Sequence, residues 1–273
     1  MVGIIYGNEV NGQGESVLKK NIAIFGMDAG ELRTDVIFVA SLDSESGNTE
    51  IISIPRDTKV EWENTQQAVM YDKWGYSVNN SKINEMLVYG GKENIRVLTL
   101  HQIEEILEMP IDNYVIVQID AFDKIIDTIG GIAVEVPQRM YYVDESQKLY
   151  IDLQPGMQIL DGNHAEMLVR FRKYPEGDVD RIKTQHIFLK ALSNKLLSPK
   201  TIVRLPKIIP IIFNSIETDL TLREMLSYIP FITQFDVNKI TYEIIPGEGR
   251  YEEGISYFFI DEDKLENFRA IIK

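Results

Sequence analysis

Five arginines in this chain stand in compact polar motifs: Arg33 in Leu-Arg-Thr-Asp, Arg56 in Ile-Pro-Arg-Asp, the Arg170-Phe171-Arg172 pair, and Arg181, with Gln185 four residues on. Two of these motifs directly flank apolar, strand-like runs. A guanidinium is always charged and presents a planar fork of donors that matches oxyanions bidentately. Such a set implies a multiply charged anionic ligand, most simply a phosphate or pyrophosphate. Carboxylates stand beside them at Asp28, Asp35 and Asp57. They suggest a hard divalent cation bound with the phosphate. Mg2+ fits, because it takes one or two carboxylates and leaves the rest of its sphere to water and phosphate oxygens.

Each motif also has a plainer reading. Asp28 and Asp35 fall at the end of one apolar run and the start of the next, where Asp serves turns through local backbone hydrogen bonds. Arg33 between them could equally complete a salt-bridge network. Pro55 ends its strand and sets the exit direction of Arg56, which could pair with Asp57 or another acid. Arg170 and Arg172, if extended, point to one side while Phe171 packs on the other. Two adjacent guanidiniums repel unless an anion lies between them, and Glu176 or Asp178 could supply it. Arg181 and Gln185 share one face of an expected helix, which a solvated face would explain as well. His101, His164 and His186 show no nucleophile–base spacing. No Gly-x-Ser-x-Gly context and no Gly-x-x-x-x-Gly-Lys-Ser/Thr loop occurs, so a P-loop nucleotide site is not supported.

The bulk composition narrows the classes. With 28 basic and 42 acidic residues the net charge is 28 − 42 = −14. Such a surface repels nucleic-acid backbones, which argues against DNA binding, but a local basic pocket remains possible because focusing depends on nearby charge. There is no cysteine, hence no disulfide or thiolate chemistry. No apolar run approaches the roughly 20 residues needed to span a bilayer. Met1 to Tyr6 is too short for a signal-peptide core and lacks a basic start. The expectation is either a cytosolic protein or a chain beginning downstream of a removed anchor, with residues 1–20 a leading segment and 21–273 one catalytic domain.

The elements that must position these side chains read as mixed α/β. Asn21 to Phe25, Val36 to Leu42 and Glu50 to Ile54 predict strands, the last two joined as a hairpin across Ser44 to Asn48. Lys92 to Leu107 predicts an amphipathic helix, and Tyr114 to Ile119 a strand. Ala121 to Ile129 predicts a helix, with a strand at Ile132 to Val136 after Gly130-Gly131. From Pro155-Gly156 onward the signals read as mostly helical: Gly162 to Val169, then Asp178 as N-cap of a helix to about Leu197, then Thr201 to Ile216 and Leu222 to Phe235. Lys239 to Ile245 reads as a returning strand and Asp261 to Ile272 as a terminal helix. The expected fold is a single α/β domain whose mixed central sheet is covered by helices on both faces.

Taken in order, these motifs resemble the LytR–CpsA–Psr family of cell-envelope phosphotransferases. The resemblance runs through Gly26-Met27-Asp28, Arg33-Thr34-Asp35, Ser53-Ile54-Pro55-Arg56-Asp57, Lys82-Ile83-Asn84 and Tyr89-Gly90-Gly91. It continues through Asp127 with Gly130-Gly131-Ile132, Leu160-Asp161-Gly162 to Ala165, Val169 to Arg172, Gly177-Asp178, and Arg181 to Gln185. One departure is Thr184-Gln185-His186 where the family commonly carries Arg-Gln-Gln, so that His186 could act as a weaker, pH-dependent cation. The membrane anchor usual in the family is missing from this chain.

The resemblance implies a Mg2+-dependent enzyme at the outer face of the cytoplasmic membrane. It would take a glycopolymer from a polyprenyl pyrophosphate carrier and join it to peptidoglycan through a phosphodiester. Arg33, Arg56, Arg170, Arg172, Arg181 and Gln185 would clamp the pyrophosphate, and Asp28 and Asp35 would hold the metal. Asp28 or Asp35 would take the acceptor's proton. An apolar groove for the lipid, lined by segments such as Ile202 to Ile212 and Tyr228 to Phe235, is expected. The alternatives are a polyprenyl-pyrophosphate hydrolase and a non-catalytic binder of envelope polymers or lipid carriers.

Overall fold

The computed structural model describes residues 9–10, 16–27, 32–145, 149–174 and 178–272. A six-stranded mixed sheet runs in the order Glu217–Thr218, Asn113–Gln118, Lys19–Met27, Thr34–Asp43, Asn48–Ser53, Ile240–Ile244. The expected early strands are present, with each boundary within two residues of the expected one. The chain divides into two compact units, one of residues 20–41, 50–116 and 242–273, the other of residues 1–19, 42–49 and 117–241.

The first unit packs around Ala23, Phe25, Met27, Ile37, Val39, Ile52 and Ile54, all buried. These are the apolar members of strands whose burial follows the pleat. A helix at Asn64–Trp74, which the sequence reading did not single out, starts where the Gln66 side chain accepts from the Glu63 amide (3.0 Å) and stops at Gly75, in the left-handed region. The expected helix over 92–107 is not continuous. A 3-10 turn at Lys92–Asn94 and a π turn at Arg96–Leu100, with the Leu100 amide donating to the Ile95 carbonyl (2.9 Å), precede the α-helix His101–Leu107. The widened turn changes the register so that Leu98, Leu100, Ile103 and Leu107 are all buried. Near the end of the chain, Gly247–Glu252 and Ile255–Ile260 form an antiparallel hairpin. Its two turn residues, Glu253 and Gly254, both have positive φ, as a tight hairpin turn requires.

The second unit has its own core, including Ile126, Ile129, Ile132, Val134, Val136, Ile151, Leu160, Leu168, Phe171 and Phe188. Ile132–Val136 alternates buried and exposed as expected and pairs antiparallel with Gly156–Leu160; Met140–Asp144 pairs with Leu149–Leu153. The expectation that the chain turns mostly helical at Gly156 is therefore corrected, since this segment is a strand. Its apolar Met157 and Ile159 are 69% and 80% exposed, so the inward pattern that would have marked it is missing. The helix expected over 201–216 is split into Pro199–Ile202 and Leu205–Phe213, because Pro206 suits a first helical turn and not an interior. The helix expected to run to about Leu197 is present as Asp178–Leu196.

Two helices of this unit, Ile119–Ile129 and Gly162–Arg170, meet at Gly162. A Cβ there would lie 2.4 Å from the Asp123 carbonyl oxygen and 2.6 Å from its Cα. Asp161 caps the second helix by accepting from the His164 amide (3.0 Å). A methyl group at Gly162 has to push two backbones apart. We expect Gly162→Ala to lower the unfolding free energy by about 1–3 kcal/mol, measured by urea denaturation; an unchanged midpoint would show that the helices can part freely.

Candidate functional site

In the first unit, Arg33, Asp35 and Arg56 join one ion-pair network. Thr34–Asp43 begins just before Asp35, and Asn48–Ser53 runs out through Pro55, so both side chains emerge from neighbouring strands. Arg56 Nη1 donates to Asp35 Oδ1, and Arg56 Nε lies 4.0 Å from Asp57 Oδ2. Lys82 Nζ reaches Asp57 Oδ1 at 2.9 Å. Glu85 then links the remaining arginine: its Oε1 takes Arg33 Nη2 (3.1 Å) while Oε2 accepts from the Lys82 amide (3.1 Å). Asp35, Arg56, Asp57 and Lys82 alternate in sign and are each about a fifth to a quarter exposed. Asn84 is buried beside them, its amide donating to the Arg56 carbonyl (3.2 Å); its Oδ1 meets no donor among the described residues. Tyr89 has its hydroxyl pKa pushed up, mainly by burial and then by Glu85, with Arg33 pulling the other way. It stays a protonated donor near Arg33. The salt-bridge alternative for Arg33 is realised with Glu85.

In the second unit, Arg170 closes the helix Gly162–Arg170, and Phe171 leaves it with an extended backbone. Phe171 is buried and meets Tyr174 edge-to-face at 5.0 Å, as the inward reading requires. Arg172 is exposed. Arg170 is helical rather than extended, so its local anion is Glu166, one turn back, whose Oε1 accepts from Nη1 at 2.6 Å. Of the two acids expected there, Glu176 lies outside the described residues, and so does the side chain of Asp178. Arg181 and Gln185 do share a helix, but it is no solvated face: they are 4% and 8% exposed. Burial pushes the Tyr174 hydroxyl up, and Arg181 beside it pulls the other way. Burial also lowers the pKa of His186, so at neutral pH it is an uncharged ring and supplies no imidazolium in place of the missing arginine.

Asp28 lies outside the described residues, so its pairing with Asp35 is not described. Asp35 offers hard carboxylate oxygens of the kind Mg2+ prefers, one of them engaged by Arg56. Among the described residues no group of three or more His, Asp or Glu could hold a metal by itself. The donor chemistry at Asp35 fits a cation that draws most of its ligands from phosphate oxygens and water. Glu166 and Glu85 were not assigned a role in the sequence, although the i, i+4 spacing of Glu166 and Arg170 is a signal that helix periodicity could have supplied.

Arginines held by carboxylates recur in both units of this α/β scaffold. The sequence matches the LytR_cpsA_psr family over residues 7–273, and the chain belongs to that family. It is 30% identical over 264 residues to the polyisoprenyl-teichoic acid–peptidoglycan teichoic acid transferase TagV of Bacillus subtilis, covering 94% of this chain and 63% of TagV. The chain thus spans less than two thirds of that relative. It is 26% identical over 269 residues to the TagU transferase of the same species, covering 94% of this chain and 79% of TagU. The crystal structure of B. subtilis TagV superposes with a TM-score of 0.76 at 29% identity, over 93% of this chain and 95% of that one.

Removing one carboxylate should expose how tightly the first network is coupled. Asp57→Asn leaves Lys82 and Arg56 facing a neutral amide. We expect it to lower the unfolding free energy by about 1–2 kcal/mol at low salt, and by less at about 1 M salt, in paired denaturant titrations. An effect independent of salt would mean that the charges do not act together.

Proposed function

We propose that this protein transfers a glycopolymer, of the teichoic acid, capsular or secondary wall polysaccharide class, from a polyprenyl pyrophosphate carrier to peptidoglycan at the outer face of the cytoplasmic membrane. The observation that supports this reading is the match over 94% of the chain to TagV, whose name states a polyisoprenyl-teichoic acid–peptidoglycan teichoic acid transferase. The arginine-rich networks are the chemistry such a reaction requires.

In the proposed reaction, an acceptor sugar hydroxyl attacks the phosphorus that bears the glycan. A new P–O bond forms, the bridging P–O bond of the pyrophosphate breaks, and polyprenyl monophosphate leaves with the bond's electron pair. The hydroxyl proton passes to a carboxylate, Asp28 or Asp35. Phosphoryl transfer depends mainly on positioning and on neutralising charge that spreads over the oxygens. Arg33, Arg56, Arg170, Arg172 and Arg181 supply that charge, and Gln185 an uncharged hydrogen bond. Arg56 is held by Asp35 and Arg170 by Glu166, so neither side chain has to be ordered when the ligand arrives. Mg2+ on Asp35 and Asp28 would add further neutralisation of the pyrophosphate oxygens. The lipid requires an apolar groove, and we assign it to segments 202–212 and 228–235. There Val203 and Ile211 are exposed, whereas Ile208 and Phe231 are buried. No helix among the described residues is long and apolar enough to cross a membrane.

The test is transfer in vitro from a polyprenyl pyrophosphate-linked glycan to a peptidoglycan oligosaccharide, with the phosphodiester product identified by mass spectrometry. Arg170→Ala or Arg172→Ala should lower kcat/KM by about 10²-fold or more while the circular dichroism and Tm are retained. Full activity in either variant would remove these residues from the clamp. Release of free glycan phosphate with water as acceptor would replace the transferase by a hydrolase.

A further inference from the structure

Behind Arg170 lies an acidic residue that the proposed chemistry does not use. Asp123 sits on the helix Ile119–Ile129 at the point of closest approach to Gly162, whose amide donates to Asp127 Oδ1 (2.9 Å). One turn beyond Gly162, Glu166 presents its carboxyl to that of Asp123, and the two side chains are hydrogen-bonded. Two carboxylates cannot form such a bond; one of them must carry a proton. Asp123 Oδ1 is sealed from solvent and meets no donor among the described residues, which marks Asp123 as the protonated member. On its other side Glu166 holds Arg170 through the 2.6 Å contact, with both groups about 15% exposed. Asp123, Glu166 and Arg170 thus form a row in which a carboxylic acid backs a carboxylate that backs a guanidinium.

Among the described residues, several charged groups lie on the elements around this row. Asp120 and Asp127 share the helix of Asp123, and their charges oppose its ionisation, as does that of Glu166. Lys124 follows in sequence and is exposed. From the neighbouring helices, Lys195 bonds the Gly130 carbonyl (3.1 Å) and Arg204 the Thr128 carbonyl (3.5 Å), both at the far end of the helix. Asp161 and His164 pair with each other at the start of the Gly162–Arg170 helix. Burial first, and Glu166 next, push the Asp123 pKa up to about 6.

We propose that Asp123 and Glu166 share one proton, and that Asp123 acts through Glu166 as a positioning residue for Arg170. Protonated, it adds no charge behind the guanidinium and leaves its attraction for pyrophosphate; ionised, it adds a negative charge there. With the proton the row carries no net charge, and without it the row is at minus one. Pyrophosphate affinity therefore falls as Asp123 ionises. This rests on the reading of Arg170 as a pyrophosphate ligand. A purely structural acid pair would alter stability without changing the pH dependence of binding.

The experiment compares the whole chain with its Asp123→Asn variant, which stays neutral at every pH. Inorganic pyrophosphate with Mg2+ is titrated calorimetrically from about pH 5 to pH 8, spanning the ordinary and raised values. Protonation of pyrophosphate itself cancels in the ratio of the two Kd values. That ratio should be near one at the acid end. At the alkaline end the wild type should bind between about two- and thirty-fold more weakly than the variant. A ratio that is flat with pH overturns the proposal. Absence of pyrophosphate binding by both proteins at every pH overturns instead the reading of Arg170 as a clamp.

The shared proton is read separately from Tm. An acid whose folded pKa is raised contributes stability that is complete below the ordinary Asp value and is lost as pH rises through about 6. The variant should therefore be the more heat-stable protein above pH 6, relative to its difference from wild type near pH 4. A difference in Tm that does not vary with pH would rule out the shared proton even where pyrophosphate binds.

Discussion

A cation that is to meet a pyrophosphate has to be held in place before the ligand arrives, and in this protein carboxylates do the holding. A bare pair of guanidiniums repels, and a long arginine side chain loses considerable rotamer entropy when it is fixed. A carboxylate at hydrogen-bond distance solves both problems, but it also cancels part of the charge the ligand is meant to feel. At an effective dielectric near 20, one unit charge about 4 Å away is worth on the order of 4 kcal/mol, so the balance between orientation and neutralisation is delicate. Asp35, Asp57, Glu85 and Glu166 each sit on that balance. All four contacts are partly exposed, which keeps the attraction moderate and leaves room for an incoming polyanion to compete.

The packing beneath these networks explains why they can be specified at all. Arg56 leaves a strand whose preceding residues, Ile51 to Ile54, are buried, so its backbone position is set by the core. Arg170 ends a helix pinned at its other end by Gly162 and the Asp161 cap, and is followed by the buried Phe171. Burial of neighbours on both sides in sequence is what turns a flexible side chain into a directed one. The acidic surface matters here as well. With a net charge of −14, a locally basic set is not a patch of a basic protein but a departure from its surroundings.

Several elements were legible because one local signal decided them. Ile132–Val136 alternates cleanly between Gly131 and Pro137, and Gly162–Arg170 carries an N-cap aspartate. Others were not, because the deciding contact lies outside the segment. Gly156–Leu160 sends Met157 and Ile159 to solvent and is a strand only by virtue of its partner at Ile132–Val136. The helix over 92–107 carries the expected apolar residues, yet a π turn accommodates them, since packing and not propensity chose the register. The hairpin at 247–260 could have been found from its two-residue Glu-Gly turn just ahead of the apolar, aromatic-rich run Ile255–Ile260.

For the candidate site, the residue types and their order along the chain were enough to point to the family. An arginine's charge and fork geometry are properties of the side chain alone and survive any fold. Which carboxylates these arginines meet was decided by tertiary structure: Arg33 pairs with Glu85, 52 residues on, and the helical course of Arg170 brings Glu166 to it. So was the environment of Arg181 and Gln185, whose helix spacing allowed a wet face and whose packing made it a dry one. Pairing and burial depend on distances through space between segments remote in sequence. Local patterns carry no information about those distances until the cores have closed around them.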